Sequence, residues 1–459
     1  MTAETVDAIV VGLGPGGEDA ATRLAQAGLS VVGVEGNLVG GECPYYGCVP
    51  TKMMIRAANS LAEARRINAL AGSVTLQPDW TPVATRIRAE ATDDWDDTVA
   101  VERFEKSGGQ FIRGWGRITA QNEVTVATAT GPRVLHARKA IVLNPGTAPT
   151  VPPIPGLAGT PYWTNRDAVA ATAVPGSLIV IGGGPVATEF SQVFARFGAE
   201  VTMLVRSRLL PRDEPEAGQL IAEVLTGEGI TIRTGTSATS VEHYGQLFTV
   251  HLDNGEPVRA QQLLIAAGRH TDLAALGIGV LGLNDAASTI PVDERMRADE
   301  GVWAIGDVTG HGAFTHMSMY QARIAVNDIL DRPTEPADSR AVPHVTFTDP
   351  EVGSVGLTEA AATAAGTPVL IGQSEIPQSA RGWIHKAGNE GFIKLVADRE
   401  RDVLVGATSV GPSGGEVLAY LTLAVHARVP IRSLKQMIYA YPTFHRAIES
   451  ALDDLHINR

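Results

Sequence analysis

Twice in this chain a five-residue strand-like run is followed at once by a glycine-rich turn and then by a helical pattern. The first unit runs Asp7-Ala-Ile-Val-Val11, then Gly12-Leu-Gly14-Pro-Gly16-Gly17, then a helix over Glu18 to Ala27. The second runs Ser177-Leu-Ile-Val-Ile181, then Gly182-Gly-Gly184-Pro-Val-Ala187, then a helix over Glu189 to Phe197. Strand, G-x-G-x-x-G/A and helix in that order form the dinucleotide-binding fingerprint. The glycines allow a tight turn and let a pyrophosphate approach the helix start, where free N–H groups and the dipole favour anions. A chain with two such units folds as an α/β protein with two Rossmann-like domains.

The strand after each fingerprint ends differently. The first, Leu29 to Val34, ends at Glu35, whose carboxylate suits an adenosine ribose. The second, Glu200 to Val205, is followed by Arg206, Arg208 and Arg212, with no acidic residue before Asp213. Arginine forks suit a ribose 2′-phosphate, which a carboxylate would repel. The second site is therefore expected to prefer NADPH, with Arg206 and Arg212 as its contacts. Two dinucleotide sites in one chain point to a bound flavin and a diffusible nicotinamide, because the flavin converts hydride into electrons other acceptors can take.

A formal charge of −13 and a pI near 5.4 argue against nucleic acid or an anionic membrane surface as partner. No apolar run reaches the ~18 residues of a bilayer span, and Ala8 to Gly12 is too short for a signal-peptide core, so a cytoplasmic protein is expected. The Pro-rich run from Thr150 to Gly156 and the Pro/Asp-rich run from Arg332 to Asp338 read as linkers.

Both cysteines fall in one stretch, Gly40-Gly41-Glu42-Cys43-Pro44-Tyr45-Tyr46-Gly47-Cys48-Val49-Pro50-Thr51-Lys52. Two cysteines do not make a disulfide framework, and a cytosolic disulfide is usually catalytic or redox-sensing. On a regular helix, residues five apart lie ~7.5 Å apart along the axis and about 140° around it. A bridge needs Cα atoms within about 7 Å, so these two can pair only where the helix start is distorted. Gly47, Pro44 and Pro50 offer that distortion; two buried, reduced thiols are the alternative the residues leave open.

With these units flanking a C-x4-C, the chain resembles the class I pyridine nucleotide-disulfide oxidoreductases, the group of dihydrolipoamide dehydrogenase, glutathione reductase and mercuric reductase. The cysteine stretch is similar to GGTCxNxGCxPSK, with Glu42 for Thr and Tyr45 for Asn. Gly146-Thr147-Ala148-Pro149, Ala266-Ala267-Gly268-Arg269, Ala304-Ile305-Gly306-Asp307 and the block Phe347 to Glu359 match further family segments in order. The resemblance implies an FAD-binding domain over residues 1–150 and 271–335, an NADPH-binding domain over 151–270, and an α+β dimerisation domain over 336–459 forming a homodimer. It implies that Cys48 takes electrons from the flavin and that Cys43 attacks the substrate. Lys52 and Glu189 pair beside the isoalloxazine. Gly12, Gly14, Gly17, Glu35, Gly41, Gly116, Gly146, Thr147 and Asp307 serve FAD, and Gly182, Gly184 and Gly268 belong to the nicotinamide site. No metal ligands are implied.

The far end departs from the pattern. Most disulfide-reducing members end in HPTxxE, whose His is the acid–base group. Here Tyr441 and Arg446 stand at the His and Glu positions, and His445, with Glu449 four residues on to orient it, is the alternative base. No cysteine follows Cys48, unlike in mercuric reductase or the large thioredoxin reductases. Three readings follow: an NADPH:FAD oxidoreductase passing electrons through Cys43–Cys48 to a small disulfide, quinone or other oxidant; a reductive C–C or C–S cleaving enzyme, as in the oxidoreductase/carboxylase that also lacks the His and Glu; and a non-catalytic redox-sensing or partner homodimer.

Overall fold

The computed structural model describes residues 4–455. The chain divides into two compact units, each assembled from three segments. The first takes the chain up to Thr51, Thr85–Thr150 and Arg269–Ser339; the second takes Lys52–Ala84, Val151–Gly268 and the chain from Arg340 onward.

The first unit is built on an eight-stranded sheet. The strand Glu4–Val11 lies parallel between Val31–Glu35 and Gly131–Leu143, whose far side carries Val302–Ala304. Over residues 8–11, 31–34, 140–143 and 302–304 these strands are apolar on both faces because both are covered there. Leu24, Phe104 and Ala322 pack on one face, and Ile118, Leu273 and Ile290 on the other. The helix Pro15–Gln26 buries Gly16, Gly17, Ala20, Ala21 and Leu24, small side chains that keep its axis close to the sheet.

The second unit contains a four-stranded parallel sheet in the order Thr231–Thr234, Glu200–Val205, Ser177–Ile181, Gln262–Ile265. Its antiparallel five-stranded sheet runs Pro343–Thr346, Glu351–Gly356, Val403–Gly411, Phe392–Asp398, Val369–Glu375. Every residue of Phe392–Asp398 is buried, as an inner strand covered on both faces requires. Among the described residues no helix is long and apolar enough to cross a membrane.

Candidate active site

In both fingerprints the middle glycine opens onto empty space while its neighbours are packed shut. A Cβ on Gly12 would lie 2.0 Å from the carbonyl oxygen of Asn144, and one on Gly17 would lie 2.0 Å from that of Gly12. A Cβ on Gly14 would meet nothing nearer than Asn144 Oδ1 at 3.4 Å, and one on Gly184 would meet nothing within 4 Å. Helices Pro15–Gln26 and Pro185–Arg196 both start without a cap from the N-cap residue's side chain, and with the Gly17 N–H held by Asn144 the Gly16 N–H is the first-turn donor the first cradle keeps for an anion. These cradles fit the pyrophosphates of FAD and of a nicotinamide coenzyme.

Glu35 braces the first cradle. Its Oε2 accepts from Leu13 N–H at 2.8 Å and its Oε1 from Asn37 N–H at 2.7 Å, which leaves further lone pairs for a ribose hydroxyl. Burial pushes its carboxyl above the usual range, and these N–H donors oppose the shift. Gly116 packs beside the cradle, where a Cβ would come within 3.0 Å of Val11 Cγ1. Gly41, at φ +68°, carries the cysteine stretch across Gly14, and a Cβ there would stand 2.9 Å from the Gly14 Cα.

Following Gly146, Thr147 donates its hydroxyl to Asp307 Oδ2 at 2.8 Å and receives Arg269 Nε at 2.8 Å. The same guanidinium lies 3.4 Å from Glu42, so through Thr147 it joins Asp307 to the residue before Cys43. Gly268 precedes it at φ +113°, a conformation that favours glycine.

The two cysteines sit on different helices. Cys43 lies in the single turn Glu42–Tyr45, the chain breaks at Tyr46 and Gly47, and Cys48 opens the long helix Cys48–Leu70. Cys43 is half-buried and Cys48 exposed, with its Sγ 3.5 Å from Thr315 Oγ1. Trp95 holds the break: its indole N–H donates to Tyr45 O at 3.3 Å and its ring stacks on Tyr46 with centroids 6.4 Å apart.

In the second unit Lys52 and Glu189 form an ion pair of 2.9 Å. Arg206 and Arg212 are exposed at the end of Glu200–Val205, and among the described residues neither guanidinium has a hydrogen-bond or ion-pair partner. Arg208 is different: it donates to the carbonyls of Leu210, Pro211 and Asp213, so it shapes the loop rather than serving a phosphate.

The C-terminal candidates are rearranged relative to the sequence expectation. Glu449 pairs with Arg446 at 2.8 Å rather than orienting His445, because the permanently charged guanidinium outcompetes an imidazole. His445 stacks on Tyr420 with centroids 4.7 Å apart, and burial lowers its pKa, which disfavours the imidazolium. Tyr441 is 70% exposed, with the Arg446 guanidinium 5.5 Å above its ring.

Two buried side chains escape sequence reasoning. Asn144 accepts from Gly17 N–H at 2.8 Å and donates to Ile305 O at 2.9 Å, binding the phosphate loop to the segment before Asp307. Gln321 accepts from Gly306 N–H at 2.7 Å. A polar residue ending the buried strand Gly131–Leu143 was the one available signal for Asn144.

Two dinucleotide cradles and a C-x4-C split between two helices define a flavin- and nicotinamide-dependent oxidoreductase. The chain belongs to the pyridine nucleotide-disulphide oxidoreductase family, whose profile matches residues 6–327, and the family's dimerisation domain matches residues 342–452. It is 32% identical to the mercuric reductase of Shewanella putrefaciens, over 96% of this chain and 79% of that one. It is also 32% identical to the dihydrolipoyl dehydrogenase of Haloferax volcanii, over 97% and 95% respectively. Among solved structures, the Cu(II) complex of the HOCl-induced flavoprotein disulfide reductase RclA of Escherichia coli superimposes with a TM-score of 0.83 at 25% identity, covering 99% of both chains. LpdA of Mycobacterium tuberculosis shares the fold, with a TM-score of 0.85 at 23% identity over 98% of this chain and 99% of that one. The enzyme is thus an FAD-dependent oxidoreductase that takes electrons from NAD(P)H and acts on sulfur groups.

Proposed function

We propose that the chain is an NADPH-dependent flavoprotein disulfide reductase that passes electrons through Cys43 and Cys48 to a small acceptor, first a low-molecular-weight disulfide and second a quinone. The observation that carries the reading is the break between Glu42–Tyr45 and Cys48–Leu70, which supplies the helix distortion that a bridge between residues five apart requires. FAD, when bound, relays the two electrons of the nicotinamide hydride to a disulfide. Reduction splits the Cys43–Cys48 bond. The Cys43 thiolate then attacks the acceptor disulfide, forming a mixed disulfide and releasing one thiolate; Cys48 displaces the second and re-forms the bond. One proton from NADPH and one from solvent leave on the two product thiols.

Arg206 and Arg212, exposed and without competing partners among the described residues, support NADPH over NADH. Ile438 at 95% exposure and Tyr441 at 70% are apolar surface that a homodimer would cover. A cytoplasmic location accords with a thiol cycle driven by reduced nicotinamide. With no thiol beyond Cys48, the chain has no further cysteine to hand on a soft metal ion.

One observation favours a second reading. Glu449 holds Arg446 and leaves no acid–base pair at Tyr441, an arrangement suited to a reaction that must keep protons from a carbanion, as in thioether cleavage. The test is a screen of the NADPH-reduced enzyme against disulfides, quinones and ketone thioethers, beside Cys43→Ser. Turnover of a disulfide that Cys43→Ser abolishes while flavin reduction persists supports the first reading. Turnover of thioethers alone supports the second, and undiminished turnover by Cys43→Ser removes both.

A further inference from the structure

The two free arginines of the nicotinamide site stand on a loop that the C-terminal sheet holds in shape. The loop joins the strand ending at Val205 to the helix starting at Pro215. At one point it is tied to the fingerprint, where Leu210 N–H donates to Gly183 O at 2.7 Å. Arg212 therefore follows a pinned residue closely, and the next residue, Asp213, is pinned harder. Asp213 is 4% exposed, and its Oδ1 lies 2.9 Å from His344 Nε2 and accepts the Ser354 hydroxyl at 2.9 Å. Its backbone closes the turn, with N–H to Leu210 O at 3.0 Å and its carbonyl accepting from Arg208 at 2.8 Å.

Glu214 continues the attachment. Its Oε1 accepts from Glu359 N–H at 2.7 Å, and its Oε2 receives the Lys394 ammonium at 3.1 Å. Lys394 projects from the inner strand Phe392–Asp398 and is 2% exposed, a position too costly for a lone charge. Its ammonium reaches Glu216 at 2.7 Å and Glu359 at 2.8 Å as well, so its three protons meet three carboxylates. Burial alone would lower its pKa, but these carboxylates override that and raise it. The lysine thus stays charged and keeps the loop end clamped.

We propose that Asp213, Glu214 and Lys394 are positioning residues for coenzyme selection: by fixing the loop to the C-terminal sheet they hold Arg206 and Arg212 where a 2′-phosphate is read. The inference rests on the NADPH reading above and adds to it a dependence of selectivity on the domain that carries the dimer interface. A loop released from these anchors keeps its arginines but pays more entropy to order them around a phosphate. The cost falls on the 2′-phosphate and leaves the pyrophosphate cradle at Gly184 untouched.

The experiment uses the FAD-loaded holoenzyme and compares binding of 2′,5′-ADP with that of 5′-ADP. Lys394→Met and Asp213→Ala should each weaken 2′,5′-ADP by about tenfold while 5′-ADP stays within about twofold. The KM for NADPH should rise in step, with kcat at saturation and the KM for NADH unchanged, and Lys394→Arg should recover most of the loss. Where Lys394→Met fails to fold, His344→Leu removes a half-exposed partner of Asp213 and carries the same expectation. Equal weakening of both nucleotides, or no weakening of either, overturns the inference while leaving the NADPH reading standing. A wild-type enzyme that binds the two nucleotides equally overturns both.

Discussion

The Lys52 ammonium lies 2.9 Å from Oε2 and 3.2 Å from Oε1 of Glu189, and Oε1 also accepts the backbone N–H of Phe347 at 2.8 Å. Glu189 is 7% exposed and takes its hydrogen bonds from these donors, while the lysine side chain keeps 35% of its surface open. The pair is therefore unequal. The carboxylate is fixed, and the ammonium is a held charge with one side still available, 4.7 Å from the centroid of the Phe347 ring.

We propose that this charge bears on the flavin potential, from the position beside the isoalloxazine that the family resemblance implies for Lys52. Lys52→Met removes the positive charge that the proposed role sets against the reduced isoalloxazine. The midpoint potential of the bound flavin should then fall by about 30 mV, the equivalent of a tenfold change in a two-electron couple. Spectroelectrochemical titration of the holoenzyme reads it directly. An unchanged potential would reduce the pair to a purely structural ion pair.

Asn144 predicts a different phenotype, loss of cofactor rather than altered chemistry. Asn144→Ala leaves the Gly17 N–H unsatisfied beneath the phosphate cradle and breaks the link to Ile305. The loss should be about 2–3 kcal/mol in denaturant unfolding, with a purified protein depleted in FAD. Full FAD content by absorbance would show that the cradle holds its shape without the amide.

Direct reading of the phosphate should follow Arg206 and Arg212, with Arg208 acting only through the loop it closes. Arg206→Glu with Arg212→Ala removes two charge-assisted contacts and adds a repulsion, so the NADPH/NADH ratio of kcat/KM should fall by about a hundredfold. Arg208→Ala should chiefly lower thermal stability, since its donors close the loop carbonyls, and should change the coenzyme ratio less than the double variant does. An unchanged ratio in the double variant would leave the phosphate reading without support.

What was legible in the sequence was local, and what escaped it was not. The fingerprints at Gly12 and Gly182 carry their chemistry within a few residues, so strand, turn and helix could be read together. Asn144 bonds to Gly17 across 127 positions, and Trp95 props a helix break fifty residues earlier, pairings no spacing rule encodes. The three arginines after Val205 look alike in sequence; only the backbone path shows that one is already engaged. Glu449 had the right helical offset from His445, but the spacing could not reveal that Arg446 would take it first.

His445 gives a pH signature with a definite sign. Burial lowers its pKa, so the folded state resists a proton that the unfolded chain accepts near pH 6.5. Its contribution to stability is therefore complete above about pH 6.5 and declines as the pH falls through that value toward the folded pKa. Between pH 7.5 and 5.5 the wild type should lose more unfolding free energy than His445→Gln, by up to about 1 kcal/mol. Parallel pH profiles for the two proteins would contradict a partly buried imidazole whose pKa is lowered in the fold.

Restoring the family motif at the C-terminus tests whether proton delivery limits turnover. Tyr441→His supplies an imidazole, and Arg446→Glu supplies the carboxylate to orient it. Arg446 also holds Glu449 at 2.8 Å and donates to Tyr439 O at 3.2 Å, so its replacement alone sets two carboxylates on one helical face. That single change should cost roughly 0.5–1 kcal/mol, and adding Glu449→Gln should recover it. In the stabilised triple variant, a general acid at the leaving thiolate should raise kcat for small disulfides by at least about tenfold, the low side of what positioned proton transfer contributes. The gain should appear with disulfides and not with quinones, which need no leaving-group protonation. A triple variant that folds, binds FAD and shows no gain on any disulfide would mean that thiolate departure never limited this enzyme, and would move the weight of the argument to thioether cleavage.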